Sequence, residues 1–176
     1  MEKDQLIILF GDSLTEWGQW HEQFGSVSLV NLGIAGDTVA NMRHRMHRVP
    51  ALKPARVLVM AGINDLIQGA SVMRVIEHYD EILKYWHAQG LAVHVQSVLY
   101  CGAQFDALNE QVTLLNEGLA ELARRYHFQY VDVASNLCPQ KVLNARHTYD
   151  GVHLTPSAYT LWAQDIAPLV RQRVTA

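Results

Sequence analysis

Cysteine is scarce in this chain: Cys101 and Cys138 are the only two. They are far apart and form no C-x-x-C pair, so a disulfide framework is excluded and both are expected to be reduced and structural. Charge of one sign is not in surplus either. Fourteen Lys and Arg face seventeen Asp and Glu, a formal net charge of −3. That leaves no electrostatic footprint for a polyanion, and nucleic acid is not an expected partner. Long apolar runs are missing as well. No window approaches the ~20 apolar residues that span a bilayer. The opening MEKDQLIILF has two early acids and a short apolar run, unlike the basic start and longer apolar stretch of a secretory leader. The expectation is a soluble, cytoplasmic protein without a membrane span. There is no internal repeat, no low-complexity tract and no linker rich in Pro, Gly or Ser.

What is present fits a folded α/β protein. The chain has 176 residues, 49% apolar and 18% charged, which predicts one domain over residues 1–176 with a sizeable core. Leu6–Phe10, Val27–Leu32, Val57–Ala61, Leu91–Val98 and Phe128–Val133 read as strands. The first and third are nearly continuous apolar runs, as strands covered on both faces should be. Between them, Val75, Ile76, Tyr79, Leu83 and Trp86 recur at helical spacing within 72–89, and Leu108, Val112, Leu115, Leu119 and Leu122 do so in the next segment. Thr155-Pro156 places an N-cap before proline at the first helical position, opening a helix to about Arg171. Alternating β and α elements predict a parallel sheet with helices on both faces. Residues 134–153 lack clear periodicity and form the expected functional loop.

In open α/β sheets, reactive groups collect beyond the carboxyl ends of strands. Four segments fall at such ends or in the late loop. Gly11-Asp12-Ser13-Leu14 follows the first strand, where a Ser at a strand-to-helix turn suits a nucleophile, a phosphate nest or an N-cap. Asn31 through Thr38, containing Gly33 and Gly36, follows the second. Its glycines allow close backbone approach and N–H donation to an anion, while a tight turn capped by Asp37 is the plainer reading. Gly62-Ile63-Asn64-Asp65 follows the third strand, and its Asn can donate to an oxyanion or form an Asx turn. Asp150-Gly151-Val152-His153 precedes the last helix. There His153 suits a general base oriented by Asp150, with metal ligation as the rival.

Taken together and in this order, the four segments resemble the sequence blocks of the GDSL (SGNH) hydrolase family of esterases and lipases, over Phe10 to Tyr159. The resemblance implies a three-layer α/β/α sandwich with a five-stranded parallel sheet, flavodoxin-like in type. It also implies Ser13 as nucleophile, Asp150 and His153 as acid and base, and an oxyanion hole from Ser13, Gly36 and Asn64. No metal and no organic cofactor is implied, and the partner is a small-molecule ester. The chain contains no G-x-S-x-G, which sets it apart from the larger α/β-hydrolase class. The family acts on lysophospholipids, acyl thioesters, short-chain esters and acetylated sugars. With no evident lid insertion, short acyl groups, such as acetyl on a carbohydrate, are the expectation, with lysophospholipase or thioesterase activity as the alternative. A flavodoxin-like phosphate-binding module would leave Asn64, Asp150 and His153 without a task, and no P-loop motif supports it.

Several residues stand outside these blocks. Asp12 and Asp65 read as acceptors for backbone N–H groups that fix their loops. Trp17 is close enough in sequence to Ser13 to line a substrate site, whereas Trp20 and Phe24 read as core. Tyr100, with Cys101, Gly102 and Gln104, is a candidate wall of the cleft. The nine histidines include no H-E-x-x-H. The cluster Arg43-His44-Arg45-Met46-His47-Arg48 reads as a solvated helix end, with an anion-docking surface as the rival.

Overall fold

The computed structural model describes residues 5–172, so the acidic opening within Met1–Asp4 lies outside the described residues. Strand β1, Ile7–Gly11, is buried at every position, as its unbroken apolar run requires of a central strand. It pairs in parallel with β2, Leu29–Gly33, on one side and β3, Arg56–Met60, on the other. Strands β4, Val93–Gln96, and β5, Gln129–Val131, extend the sheet beyond β3, giving the order β2-β1-β3-β4-β5. The chain therefore winds one way from β1 and the other way after β2. A crevice opens beyond the carboxyl ends of β1 and β3 at this reversal.

Short helices α1, Ser13–Glu16, and α2, Trp20–Phe24, link β1 to β2. Helices α3, Val39–Arg45, and α4, Arg48–Ala51, lead to β3. Then come α5, Ile63–Ile67, α6, Val72–Ala88, α7, Asp106–Arg125, α8, Ala134–Leu137, and α9, Pro156–Arg171. Helices α3, α6 and α7 pack together on one face of the sheet, where the Trp86 ring meets Phe10 edge-on at 5.2 Å. Helix α9 packs with α2 and α8 on the other, where the Trp162 indole N–H donates to the Gln96 side chain at 2.7 Å. This is the expected three-layer α/β/α sandwich.

Strand lengths differ from the sequence expectation at three places. β2 begins at Leu29, β4 occupies only part of 91–98, and β5 is limited to Gln129–Val131. Past β4 the chain leaves the sheet because α7 supplies its hydrogen bonds. The Asn116 amide accepts from the Val98 N–H at 2.8 Å and donates to its carbonyl at 2.9 Å. Asn109 does the same for Cys101, at 2.7 and 3.0 Å. Side-chain amides thus replace a strand partner, and a hydrophobicity pattern does not register that exchange.

Candidate active site

The turn from β1 into α1 sets the position of Ser13. A Cβ on Gly11 would lie 2.4 Å from the Met60 carbonyl and 2.2 Å from the Thr15 hydroxyl, so only glycine lets the turn close. Asp12 caps α1, its Oδ1 accepting from the Leu14 N–H at 3.0 Å; Ser13 itself is not the cap. Carbonyls of α1 are tied from below, since the Trp20 indole N–H donates to Thr15 at 2.8 Å and the Tyr159 hydroxyl to Leu14 at 2.9 Å. Trp20, Tyr159 and Trp162 meet edge-on or stacked beneath this helix. Ser13 is left at the rim with its hydroxyl 3.3 Å from His153 Nε2.

His153 and Asp150 sit in the loop before α9. The His153 ring Nδ1 lies 2.7 Å from Asp150 Oδ2, and Asp150 Oδ1 accepts from the backbone N–H groups of His153 and Val152 at 2.7 and 2.8 Å. A proton on Nδ1 donated to Asp150 turns the Nε2 lone pair toward the serine hydroxyl. Nδ1 is thus taken by Asp150 and Nε2 faces Ser13, and among the described residues no group of three or more His, Cys, Asp or Glu side chains is placed to hold a metal ion. Partial burial pushes the Asp150 carboxyl up. The His153 ring and the two backbone donors outweigh it and hold the group down at about 2. Thr148 stiffens the loop, its hydroxyl accepting from the Gly151 N–H and donating to the His153 carbonyl, each at 2.8 Å.

The loop after β2 and the start of α5 carry the other two residues expected at an oxyanion hole, Gly36 and Asn64. Gly36 has φ +79°, and a Cβ there would meet nothing within 4 Å, so its backbone borders open space. No acceptor takes the Gly36 N–H among the described residues. The Ser13 N–H, first in α1, belongs to the helix-start amides that no helix carbonyl can reach. Asn64 donates one amide hydrogen to the Asp37 carbonyl at 2.9 Å, keeping a second for another acceptor.

Two carboxylates act as the sequence indicates. Asp12 accepts from Leu14, and Asp65 accepts from the Val39 N–H at 2.9 Å, joining α5 to the start of α3. Asp12 is fully buried with Oδ2 unpartnered among the described residues. Burial pushes it up to about 7, with the Asp65 and Asp37 charges adding to the shift and the Leu14 N–H opposing it.

Arg45 corrects the reading of residues 43–48 as a solvated helix end. Its guanidinium turns inward, donating to Asp37 Oδ2 at 2.7 Å, to the Leu32 carbonyl at 2.7 Å and to the Gly11 carbonyl at 2.9 Å. It also lies over the Phe10 ring at 4.2 Å. Asp37 is consequently a salt-bridge partner and not a cap; Thr38 caps α3 by accepting from the Asn41 N–H. A charge run does not reveal direction; the available signal for this pair is the acid eight residues before the arginine, just ahead of the helix that carries it.

The Trp17 ring stacks on His153 with centroids 4.4 Å apart and planes 27° apart, and stays 51% exposed. Trp20 and Phe24 are core. Tyr100 goes elsewhere: it lines a hollow of about 290 Å³ with Tyr130, Asp132 and Lys141, away from Ser13 and His153. Gln104 reaches the Asp150 carbonyl at 3.3 Å. Tyr149, 74% exposed beside Asp150, was not singled out in the sequence, because nothing in its own segment marks it.

The chain is similar to known proteins both in sequence and in fold. An N-acylneuraminate cytidylyltransferase of Streptococcus agalactiae serotype III (strain NEM316) is 24% identical over 157 residues, covering 88% of this chain and 36% of the relative. The chain thus spans about a third of the length of the curated relatives it matches. A GDSL-like lipase from Bacteroides thetaiotaomicron superposes with a TM-score of 0.87 at 22% identity, over 97% of this chain and 90% of that one. A catalytic mutant of an acetylxylan esterase from Geobacillus stearothermophilus does so with a TM-score of 0.79 at 18% identity, over 94% of each chain. The sequence profile of the GDSL-like Lipase/Acylhydrolase family matches residues 9–161. With five parallel strands, the four blocks in order and a profile match over most of its length, the chain belongs to the GDSL-like lipase/acylhydrolase family of hydrolases.

Proposed function

We propose that this domain hydrolyses short-chain acyl esters, O-acetyl esters among them, through an acyl-enzyme on Ser13. The observation that carries the reading is the continuous line from Asp150 through His153 to Ser13, at 2.7 and 3.3 Å; the Ser13, Gly36 and Asn64 amides are assigned as the oxyanion donors. His153 Nε2 takes the Ser13 hydroxyl proton as Oγ bonds to the ester carbonyl carbon. The carbonyl π pair moves onto oxygen, where the Ser13 and Gly36 N–H groups and the Asn64 amide receive it. Such donors are each worth about 3–4 kcal/mol in the transition state. The oxyanion collapses, the C–O bond to the alcohol breaks, and His153 returns its proton to the departing alkoxide. Water then repeats the sequence on the acyl-enzyme, giving the carboxylic acid and free Ser13. Asp150, held ionised, stabilises the imidazolium in both halves.

Two hollows of about 450 and 560 Å³ flank the His153 loop, and Ser13 lines neither. An acyl group bound to Ser13 is left with the shallow rim, which favours two to four carbons over long chains. The acetylxylan esterase among the structural neighbours is consistent with acetyl as the acyl group. A series of p-nitrophenyl esters from two to sixteen carbons, assayed in EDTA, tests the reading. The expected result is a kcat/KM maximum at two to four carbons; a maximum at the long end, or loss of turnover in EDTA, overturns it.

A further inference from the structure

We propose that Trp17 is a positioning residue of this site: its indole holds the His153 imidazole in line with Ser13 and supports the imidazolium formed during the reaction. The inference rests on the Ser13 acyl-enzyme reading above and adds to it a residue that neither reacts nor donates to the oxyanion. The sequence places both contacts on one turn. Ser13 and Trp17 are four residues apart, and the Trp17 N–H donates to the Ser13 carbonyl at 3.0 Å, closing α1. Side chains at that spacing lie on the same face of a helix. One turn therefore meets the imidazole twice, with the Ser13 hydroxyl 3.3 Å from Nε2 and the indole stacked on the ring at 4.4 Å. That turn is itself anchored. Asn31 of β2 donates to the Thr15 and Glu16 carbonyls, each at 3.0 Å, beside the bonds from Trp20 and Tyr159.

His153 needs such a contact. Its side chain and the Asp150 carboxylate on Nδ1 both border water. Water competes for a bond in that setting, and one bond at a ring edge leaves the imidazole free to swing about it. The Ser13 hydroxyl cannot stop that motion, because it is the group that reacts. Trp17 closes a face of the imidazole, and it is the only ring in contact with His153 among the described residues. The indole also acts selectively. A π face attracts a cation lying within about 6 Å of its centroid, so the contact at 4.4 Å strengthens when His153 takes the serine proton. An interaction that is stronger in the transition state than in the ground state raises kcat.

The test replaces Trp17 by Leu, which keeps an apolar side chain and removes the aromatic face, and by Phe, which keeps a face. Trp17 is 51% exposed and lies outside the core, so both variants should unfold at the wild-type temperature. On p-nitrophenyl acetate, Trp17→Leu should lower kcat about tenfold or more with little change in KM, and Trp17→Phe should restore most of the loss. Ethyl acetate has no ring to stack on the indole, and its kcat/KM should fall by a similar factor. Proton NMR supplies a readout without turnover. The His153 ring C–H signals, identified by their loss in His153→Gln, should lie upfield in the wild type and move downfield in Trp17→Leu. A rise in KM at unchanged kcat, a loss confined to the aryl ester, or His153 signals that stay in place in Trp17→Leu overturns the proposal. Absence of p-nitrophenyl acetate turnover in the wild type defeats the Ser13 reading itself; wild-type turnover with any of those three results defeats the role of Trp17 alone.

Discussion

On one side of the reacting centre, around Ser13 and the loop after β2, charged groups are buried and cross-braced. Arg45 and Asp37 are 11% and 14% exposed, and the guanidinium joins the ends of β1 and β2 to the turn that carries Gly36. On the other side, His153 and Asp150 are 30% and 52% exposed and are held by hydrogen bonds, within their own loop through Thr148 and Asp150 and to the segment after β4 through the Gly102 N–H and the Gln104 amide. The contrast follows the chemistry. In the proposed reaction oxyanion donors act by being fixed in advance, and the turn that carries Gly36 is braced by a buried ion pair. The base must contact serine, alcohol and water in turn, and it stands at the opening where those groups enter. Stability and catalysis are therefore expected to separate: substitutions in the braced half disturb the fold, and those in the open half disturb turnover.

Asp150→Asn should show the largest effect. The Asn side-chain oxygen can keep the bonds from Val152 and His153, but it cannot hold the imidazolium, and kcat should fall by about 10³–10⁴. Thermal unfolding should shift little; a large fall in Tm would break the contrast. Arg45→Met should do the reverse. It leaves Asp37 and two strand-end carbonyls without their donor, at a cost of about 3–5 kcal/mol. Denaturant unfolding reads this directly, and an unchanged midpoint would contradict the bracing role.

Asp12 sharpens the comparison through pH. Its carboxyl is held near 7 in the fold against an ordinary 3.8. Between these values the folded protein keeps a proton that the unfolded chain has released, so stability falls as pH rises through that window and stays lower above it. The gap corresponds to at most about 4 kcal/mol. Asp12→Asn retains an acceptor for Leu14 and removes the titration, so the variant should gain stability relative to wild type from pH 4 to 7. A constant difference across that range would show that Asp12 titrates normally.

Much of this was legible in the residues. The central strands announced themselves as apolar runs, Thr155-Pro156 marked the start of α9, and three of the four polar segments lay at strand ends, with the fourth in the loop before α9. Less was readable where one element completes another. Asn109 and Asn116 look like ordinary helix-surface residues until they are found bonding the backbone after β4. Arg45 belongs by pattern to a basic helix end, and its inward turn depends on Asp37 and two carbonyls brought near by β1–β2 pairing. Trp17 and Tyr100 read as comparable candidates, yet α1 delivers Trp17 to His153 while the bend after β4 carries Tyr100 to a separate hollow.

The most direct measurement is the intact mass and peptide map of the protein after exposure to a serine-directed organophosphonate. The account predicts one adduct per chain, on the peptide bearing Ser13, with esterase activity lost in proportion and neither adduct nor turnover in Ser13→Ala. Undiminished ester hydrolysis by Ser13→Ala, or inactivation with the label on another residue, would contradict it.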